Sequence, residues 1–304
     1  MSIRDLSTQK LNWIKWRVTY KCNYKCSYCM QQVCERRGEE GKPFEIEPIV
    51  RKLIHTSPRK VGLELIGGEV SLIDLCKLLE TISKEENLVK VKITTNFSAP
   101  VTYYKNLASL VPLSITPSYH PEYNPSVSDF LDKIEAVGKE NIAFVEGVVN
   151  DSTKEKMEEL VAECKQRGIK FCIDIDRFKP ELAAKYAYLI EQSSEEYIEG
   201  RMEVEGERFP TKTQYMQSGY AKHLGKGRFP WRTWAATKHR LCTILCDYIF
   251  VTYEGYTNTC YAKYPEKGSQ YTWKDTPSRC PIDYCSFCGR MSVLDEGDDW
   301  YVHR

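Results

Sequence analysis

The residues best suited to chemistry in this chain are cysteines. Three of its 13 cysteines stand in the run Lys21-Cys22-Asn23-Tyr24-Lys25-Cys26-Ser27-Tyr28-Cys29, the spacing CxxxCxxC. A structural zinc site takes four ligands, usually in two pairs. Three thiolates on one loop can instead each hold one iron of a cubane cluster and leave the fourth iron open for chemistry. A second group lies in the last quarter: Cys242, Cys246, Cys260, Cys280, Cys285 and Cys288. There Ile249-Phe250-Val251 reads as a strand, Glu254-Gly255 turns it back toward Cys260, and Cys285-x-x-Cys288 supplies two more thiolates. Iron–sulfur and zinc both suit such a four-cysteine site, and Cys246 and Cys280 compete for places in it. Cys34, Cys76, Cys164 and Cys172 stand singly and read as ordinary buried thiols.

Carboxylates form the other chemical pattern. The lone charge in the run from Ile142 to Val149 is Glu146, and in Phe171 to Asp176 one face carries Cys172, Asp174 and Asp176 while the other carries Phe171, Ile173 and Ile175. Such groups on apolar strands are costly unless they pair or face a wet cavity. Between Glu207 and Asp247 no acidic residue occurs, while Arg208, Lys212, Lys222, Lys226, Arg228, Arg232, Lys238 and Arg240 are interleaved with Tyr215, Tyr220, Phe229, Trp231 and Trp234. That segment is a solvated basic face or a recognition surface for an anion: a phosphate or carboxylate substrate, a nucleic acid, or an acidic electron donor.

The elements that must position these groups alternate regularly. Strands are expected over Trp13 to Tyr20, Lys60 to Ile66, Leu88 to Asn96, Val111 to Ser118, Asn141 to Val149 and Ile169 to Asp176. Ile46, Ile49, Val50, Leu53 and Ile54 mark one helix face between them, and Leu72, Leu75, Cys76, Leu79 and Ile82 another. Met157, Leu160, Val161 and Cys164 recur at helical spacing behind a capping-box pattern, Ser152-x-x-Glu155, with Gly168 as the stop. Further helices are expected near 101–110, 126–138 and 179–193. Six strand–helix units imply an α/β protein with a parallel sheet, open or curled into an incomplete barrel, and functional loops at the strand C-termini.

Composition narrows the class. The 304 residues carry 43 Lys plus Arg against 42 Asp plus Glu, which excludes a globally basic coat or an acidic tail, and 42% hydrophobic residues suffice for a full core. No window reaches the ~18 to 20 apolar residues of a membrane span, and the start lacks a signal-peptide core. A cytoplasmic location is therefore expected, where clustered thiolates bind metal rather than form disulfides.

The triplet after the first strand, with the aromatic Tyr28 just before its third cysteine, resembles the signature of the radical S-adenosylmethionine (radical SAM) superfamily. Ile66-Gly67-Gly68-Glu69 at the end of strand two looks like the motif by which that family holds the methionyl ammonium: glycines let carbonyls approach it and a carboxylate adds charge. The stretch from Cys242 through Gly255 to Cys260 is similar to the hairpin that opens the SPASM and twitch extensions, and the cysteine number fits the one-cluster twitch version. The resemblance implies a partial (β/α)6 barrel over 1–195, a basic, aromatic connecting segment over 196–234 and a twitch-like domain over 235–304. Cys22, Cys26 and Cys29 would hold a 4Fe-4S cluster, and Gly67, Gly68, Glu69, Tyr28, Asn96 and Ser118 would contact S-adenosylmethionine. His120, Glu146 and Asp174 are the catalytic candidates, and Cys242, Cys260, Cys285 and Cys288 the ligands of an auxiliary 4Fe-4S cluster.

The activity implied is reductive cleavage of S-adenosylmethionine to a 5′-deoxyadenosyl radical that abstracts hydrogen from a substrate. The expected partners are an anionic small molecule or a ribosomally made peptide, and a flavodoxin or ferredoxin as electron donor. Only 21 residues precede Cys22, short of the recognition domain of many peptide maturases, which tilts the expectation toward a small molecule. A non-catalytic iron–sulfur or zinc protein binding nucleic acid is the alternative from another class, disfavoured by the triplet standing with Gly67-Gly68-Glu69.

Overall fold

The structure is a computed structural model. It describes residues 11–29, 38–176, 179, 182–194, 248–258 and 268–275, with the backbone of the pairs 203–204, 207–208, 235–236, 241–242, 278–279, 284–285 and 293–294. Strands β1 (Asn12–Thr19), β2 (Val61–Gly67), β3 (Leu88–Thr95), β4 (Leu113–Tyr119), β5 (Val145–Val149) and β6 (Phe171–Ile175) form consecutive parallel pairs. Helices α1 (Pro43–His55), α2 (Leu75–Ile82), α3 (Val101–Leu110), α4 (Val127–Val137) and α5 (Lys154–Arg167) alternate with them. Two short helices follow, α6 (Leu182–Lys185) and α7 (Ala187–Ile190), where one is expected over 179–193.

The sheet does not stop at six strands. β7 (Tyr248–Val251) pairs parallel with the free side of β1, Trp13 opposite Tyr248 and Trp16 opposite Val251. β8 (Thr257–Asn258) closes an antiparallel hairpin onto β7, so the order is β8-β7-β1-β2-β3-β4-β5-β6. The expected turn is present: Gly255 sits at φ +86, a region open to glycine, and its amide bonds Thr252 O at 3.0 Å. The hairpin expected in the C-terminal segment thus pairs onto the β1 edge of the barrel sheet.

Strand alternation assigns the two faces. On β1, Ile14, Trp16 and Val18 are fully buried with the helices, while Trp13, Lys15 and Arg17 alternate onto the other, partly open face. Leu63 and Leu65, Val91 and Ile93, Ile115, Val145 and Ile173 continue the core beneath α1 to α5. The second face lines the lumen.

Leu72 lies 42% exposed in a 3-10 turn (Val70–Leu72) instead of on the face of α2, whose buried residues are Leu75, Leu78, Leu79 and Ile82. Ser152 does not cap α5; Thr153 occupies the cap position without a side-chain bond, and Asn150 Oδ1 accepts from Ser152 and Thr153 amides at 2.9 and 3.0 Å. Asn141 belongs to a 3-10 turn ahead of β5. Gly168 ends α5 in the left-handed region as expected.

Candidate functional site

The loop leaving β1 runs directly against the turn leaving β2. The Gly68 amide bonds Thr19 O at 2.9 Å and the Glu69 amide bonds Lys21 O at 2.8 Å. A Cβ on Gly68 would stand 2.2 Å from Lys21 O, and one on Gly67 would stand 2.6 Å from Thr19 O. Both glycines are therefore required by the chain's own backbone as it enters the cysteine loop. Glu69 is fully buried and its carboxylate accepts three hydrogen bonds: from Thr95 Oγ1 at 2.6 Å, the Asn96 amide at 2.6 Å and the Ser71 amide at 2.8 Å. It ties the ends of β2 and β3 together.

The next turn is strained. Phe97 adopts φ +59, in the left-handed region that bulky residues rarely enter. Its ring stacks on Tyr104 at 4.3 Å, and Lys133 Nζ of α4 donates to its carbonyl at 2.5 Å. Burial lowers the pKa of that ammonium. The turn directs Asn96 at the cysteine loop, where its Nδ2 donates to Asn23 Oδ1 at 2.7 Å and lies 4.0 Å from Cys22 Sγ.

Among the cysteines, Cys26 is 4% exposed, and Cys22 and Cys29 are half-buried. Burial first, then Glu122 and the other two cysteines, pushes the Cys26 thiol up to about 12. The segment after β4 clasps this loop from the other side. His120 Nδ1 lies 3.0 Å from Tyr28 OH and 3.3 Å from Cys26 Sγ, and its ring stacks on that of Tyr28 with a 4° interplanar angle. Burial drives the His120 pKa down to about 4, so the imidazole is neutral at pH 7. Glu122 accepts from the Ser27 amide at 3.1 and 3.2 Å and from Ser27 Oγ at 2.5 Å. Tyr123 OH accepts from the Lys25 amide at 2.6 Å, and the Tyr123 ring stacks on Tyr24 at 4.1 Å. His120 was visible in the sequence as a candidate; Glu122 and Tyr123 were not, because only the fold brings the β4 loop to the cysteines.

Ser118, Glu146 and Cys172 stand in one register row across β4, β5 and β6, with Ser118 Oγ donating to Glu146 Oε2 at 3.5 Å. Asp174 is two residues further along β6, on the same face, opposite Val148. Asp176 accepts from Asn150 Nδ2 at 3.1 Å. The opposite wall holds a row that sequence reasoning passed over: Lys15, Glu64 and Lys92 are aligned across β1, β2 and β3, with Glu64 3.0 Å from Lys15 and 4.0 Å from Lys92. Their signal was present as charges alternating with apolar residues.

Cys34, Cys246, Cys260, Cys280 and Cys288 lie outside the described residues, as does the basic run apart from its two-residue strands. The backbone of Leu241–Cys242 pairs antiparallel with Ser278–Arg279 and Val293–Leu294, and that of Tyr284–Cys285 with Ala235–Ala236.

Among the described residues no three His, Cys, Asp or Glu side chains converge as a single metal ion requires. A cubane cluster makes no such demand, since each thiolate takes its own iron. The donor set fits one: three thiols stand on a single loop, and the most buried of them is Cys26. Among the described residues no helix is long and apolar enough to cross a membrane.

No protein-family profile matches the chain. It is 28% identical over 99 residues to GTP 3′,8-cyclase of Cronobacter sakazakii, 31% of this chain and 30% of that protein. It is 33% identical over 98 residues to the probable GTP 3′,8-cyclase of Methanococcus maripaludis, 31% of each. The chain thus spans less than a third of the curated relatives it matches. In fold it is similar to native anSMEcpe with bound AdoMet and Cp18Cys peptide, with a TM-score of 0.53 at 16% identity over 82% of this chain and 73% of that one.

Proposed function

We propose that this chain, a member of the radical S-adenosylmethionine superfamily, is an enzyme that reductively cleaves S-adenosylmethionine and abstracts a hydrogen atom from a substrate held in the barrel lumen. The observation that carries the reading is the CxxxCxxC loop leaving β1 hydrogen-bonded to the Gly67-Gly68-Glu69 turn leaving β2. Cys22, Cys26 and Cys29 would hold a 4Fe-4S cluster, which with S-adenosylmethionine supplies the 5′-deoxyadenosyl radical. Carbonyls of the Gly67-Gly68 turn, which the absence of side chains leaves approachable, would accept from the methionyl ammonium. Glu69 acts there chiefly by fixing that turn and Asn96, because three donors already occupy its carboxylate. Tyr28 and His120 form a stacked wall beside Cys26 and keep water from it. Ser118, Glu146 and Asp174 offer acceptors on the far wall for ribose or substrate hydroxyls and amines.

For the substrate, a small molecule is the first reading, in keeping with the nucleotide that names the curated relatives. A peptide is the second, favoured by the peptide bound in the solved structure of similar fold. A flavodoxin or ferredoxin would reduce the cluster, and Cys242, Cys260, Cys285 and Cys288 would hold an auxiliary one. The test is anaerobic reconstitution followed by reduction with dithionite in the presence of S-adenosylmethionine. Formation of 5′-deoxyadenosine and methionine is expected, and their loss when Cys22, Cys26 and Cys29 are all changed to Ala. Equal iron in the wild type and the triple variant would overturn the assignment.

A further inference from the structure

We propose that Glu122 is a positioning residue that lowers the reduction potential of the cluster held by Cys22, Cys26 and Cys29, by capturing the Ser27 amide and by placing a negative charge beside the loop. The inference rests on the cluster reading above. Reduction adds an electron to the cluster, so donors directed at its sulfurs favour the reduced state and nearby negative charge disfavours it. Ser27 lies between two ligands, one residue after Cys26 and two before Cys29, and its amide would otherwise be available to a cluster or thiolate sulfur. Both Glu122 oxygens hold it, at 3.1 and 3.2 Å, and Oε1 also takes the Ser27 hydroxyl at 2.5 Å. Two donors of the ligand loop are thereby engaged by one group that is itself anionic.

The rest of the clasp keeps Glu122 in place. Tyr123, its neighbour, accepts from the Lys25 amide at 2.6 Å and stacks on Tyr24, while the Tyr123 and Asn124 amides fold back onto His120 O at 3.0 and 2.8 Å. His120 Nδ1 lies near a ligand sulfur, 3.3 Å from Cys26 Sγ, and with its proton there it would act in the opposite sense. Glu122 and His120 would then be opposed controls on one thiolate, both carried by a single loop. The consequence for function is a more strongly reducing cluster than the triplet alone would give.

Glu122→Gln is the informative variant because its amide oxygen can still accept from Ser27 while the charge is gone; Glu122→Asp retains the charge. The full chain is reconstituted anaerobically, its iron counted and its midpoint potential measured by electron paramagnetic resonance during redox titration. Metal-free protein is compared in parallel by hydrogen exchange at residues 25–29. Expected are unchanged iron in Glu122→Gln, a midpoint shifted to more positive potential, a midpoint near wild type in Glu122→Asp, and faster exchange of the Ser27 amide in Glu122→Ala. An unshifted midpoint at equal iron overturns the proposal and leaves the cluster reading standing. Loss of iron confined to Glu122→Gln also overturns it, by making Glu122 a requirement for assembly. A wild-type chain that takes up no cluster overturns both.

Discussion

At the residue scale the densest arrangement is the carboxylate of Glu69. It is fully buried and serves donors from three places in the chain: the turn after β2, the last residue of β3 and the first residue beyond it. Removing it strands those donors, and each buried donor left unsatisfied costs about 1 to 3 kcal/mol. Glu69→Ala is therefore expected to destabilise the metal-free protein by about 3 to 5 kcal/mol in urea unfolding, and Glu69→Gln, which keeps one acceptor, by about 1 to 3 kcal/mol. A loss under about 1 kcal/mol in Glu69→Ala would mean that water replaces the carboxylate and that its weight lies in ligand binding instead. The triplet, the glycine pair and His120 were legible because their types and spacings are local. Glu122 and Tyr123 were not, since their value comes from contacts with residues more than ninety positions away.

The element scale shows why sequence periodicity read so much of the barrel and where it ran out. Buried parallel strands such as Leu113–Tyr119 and helices with one apolar face such as Val127–Val137 announce themselves. Caps and turns are decided by single hydrogen bonds: Asn150 organises the start of α5 through its side-chain oxygen Oδ1, and the Ser152-x-x-Glu155 pattern goes unused. The glycine turn offers a controlled test. In Gly68→Ala the new Cβ meets backbone, Lys21 O at 2.2 Å and Tyr20 O at 2.8 Å, so the cysteine loop must shift. A cost of about 1 to 3 kcal/mol and a several-fold fall in bound iron are expected. Gly168→Ala meets nothing within 4 Å at φ +64, so only backbone strain of about 1 kcal/mol applies and iron should be unchanged. Equal iron in both variants would show that close packing of the turn is unrelated to the cysteine loop.

At the scale of the whole molecule the seventh strand changes how the C-terminal part can be tested. The sequence shows Ile249-Phe250-Val251 as a strand but not its partner, because parallel pairing across more than two hundred residues leaves no local trace. Ile249 and Val251 are fully buried against β1, the hairpin tip at Gly255 would place a Cβ 3.1 Å from Ile46 of α1, and Trp273 Nε1 donates to Leu53 O at 2.6 Å. The described residues in 248–258 and 268–275 thus pack on β1 and α1, the elements that flank the cysteine loop. Deleting residues 241–304 would expose the edge of β1, with its unpaired backbone, as well as remove Cys242, Cys260, Cys285 and Cys288. Such a chain is expected to lose both clusters and much of its soluble yield. Cys285→Ala in the full chain leaves β7 in place, so it should lower iron by up to about half while cleavage of S-adenosylmethionine continues in part, as two cubanes of about four irons each require. A truncated chain that keeps about four irons and cleaves S-adenosylmethionine at the rate of the full chain would show that β7 is dispensable to the barrel, and zinc in place of iron at the second site would remove any electron-transfer role for those four cysteines.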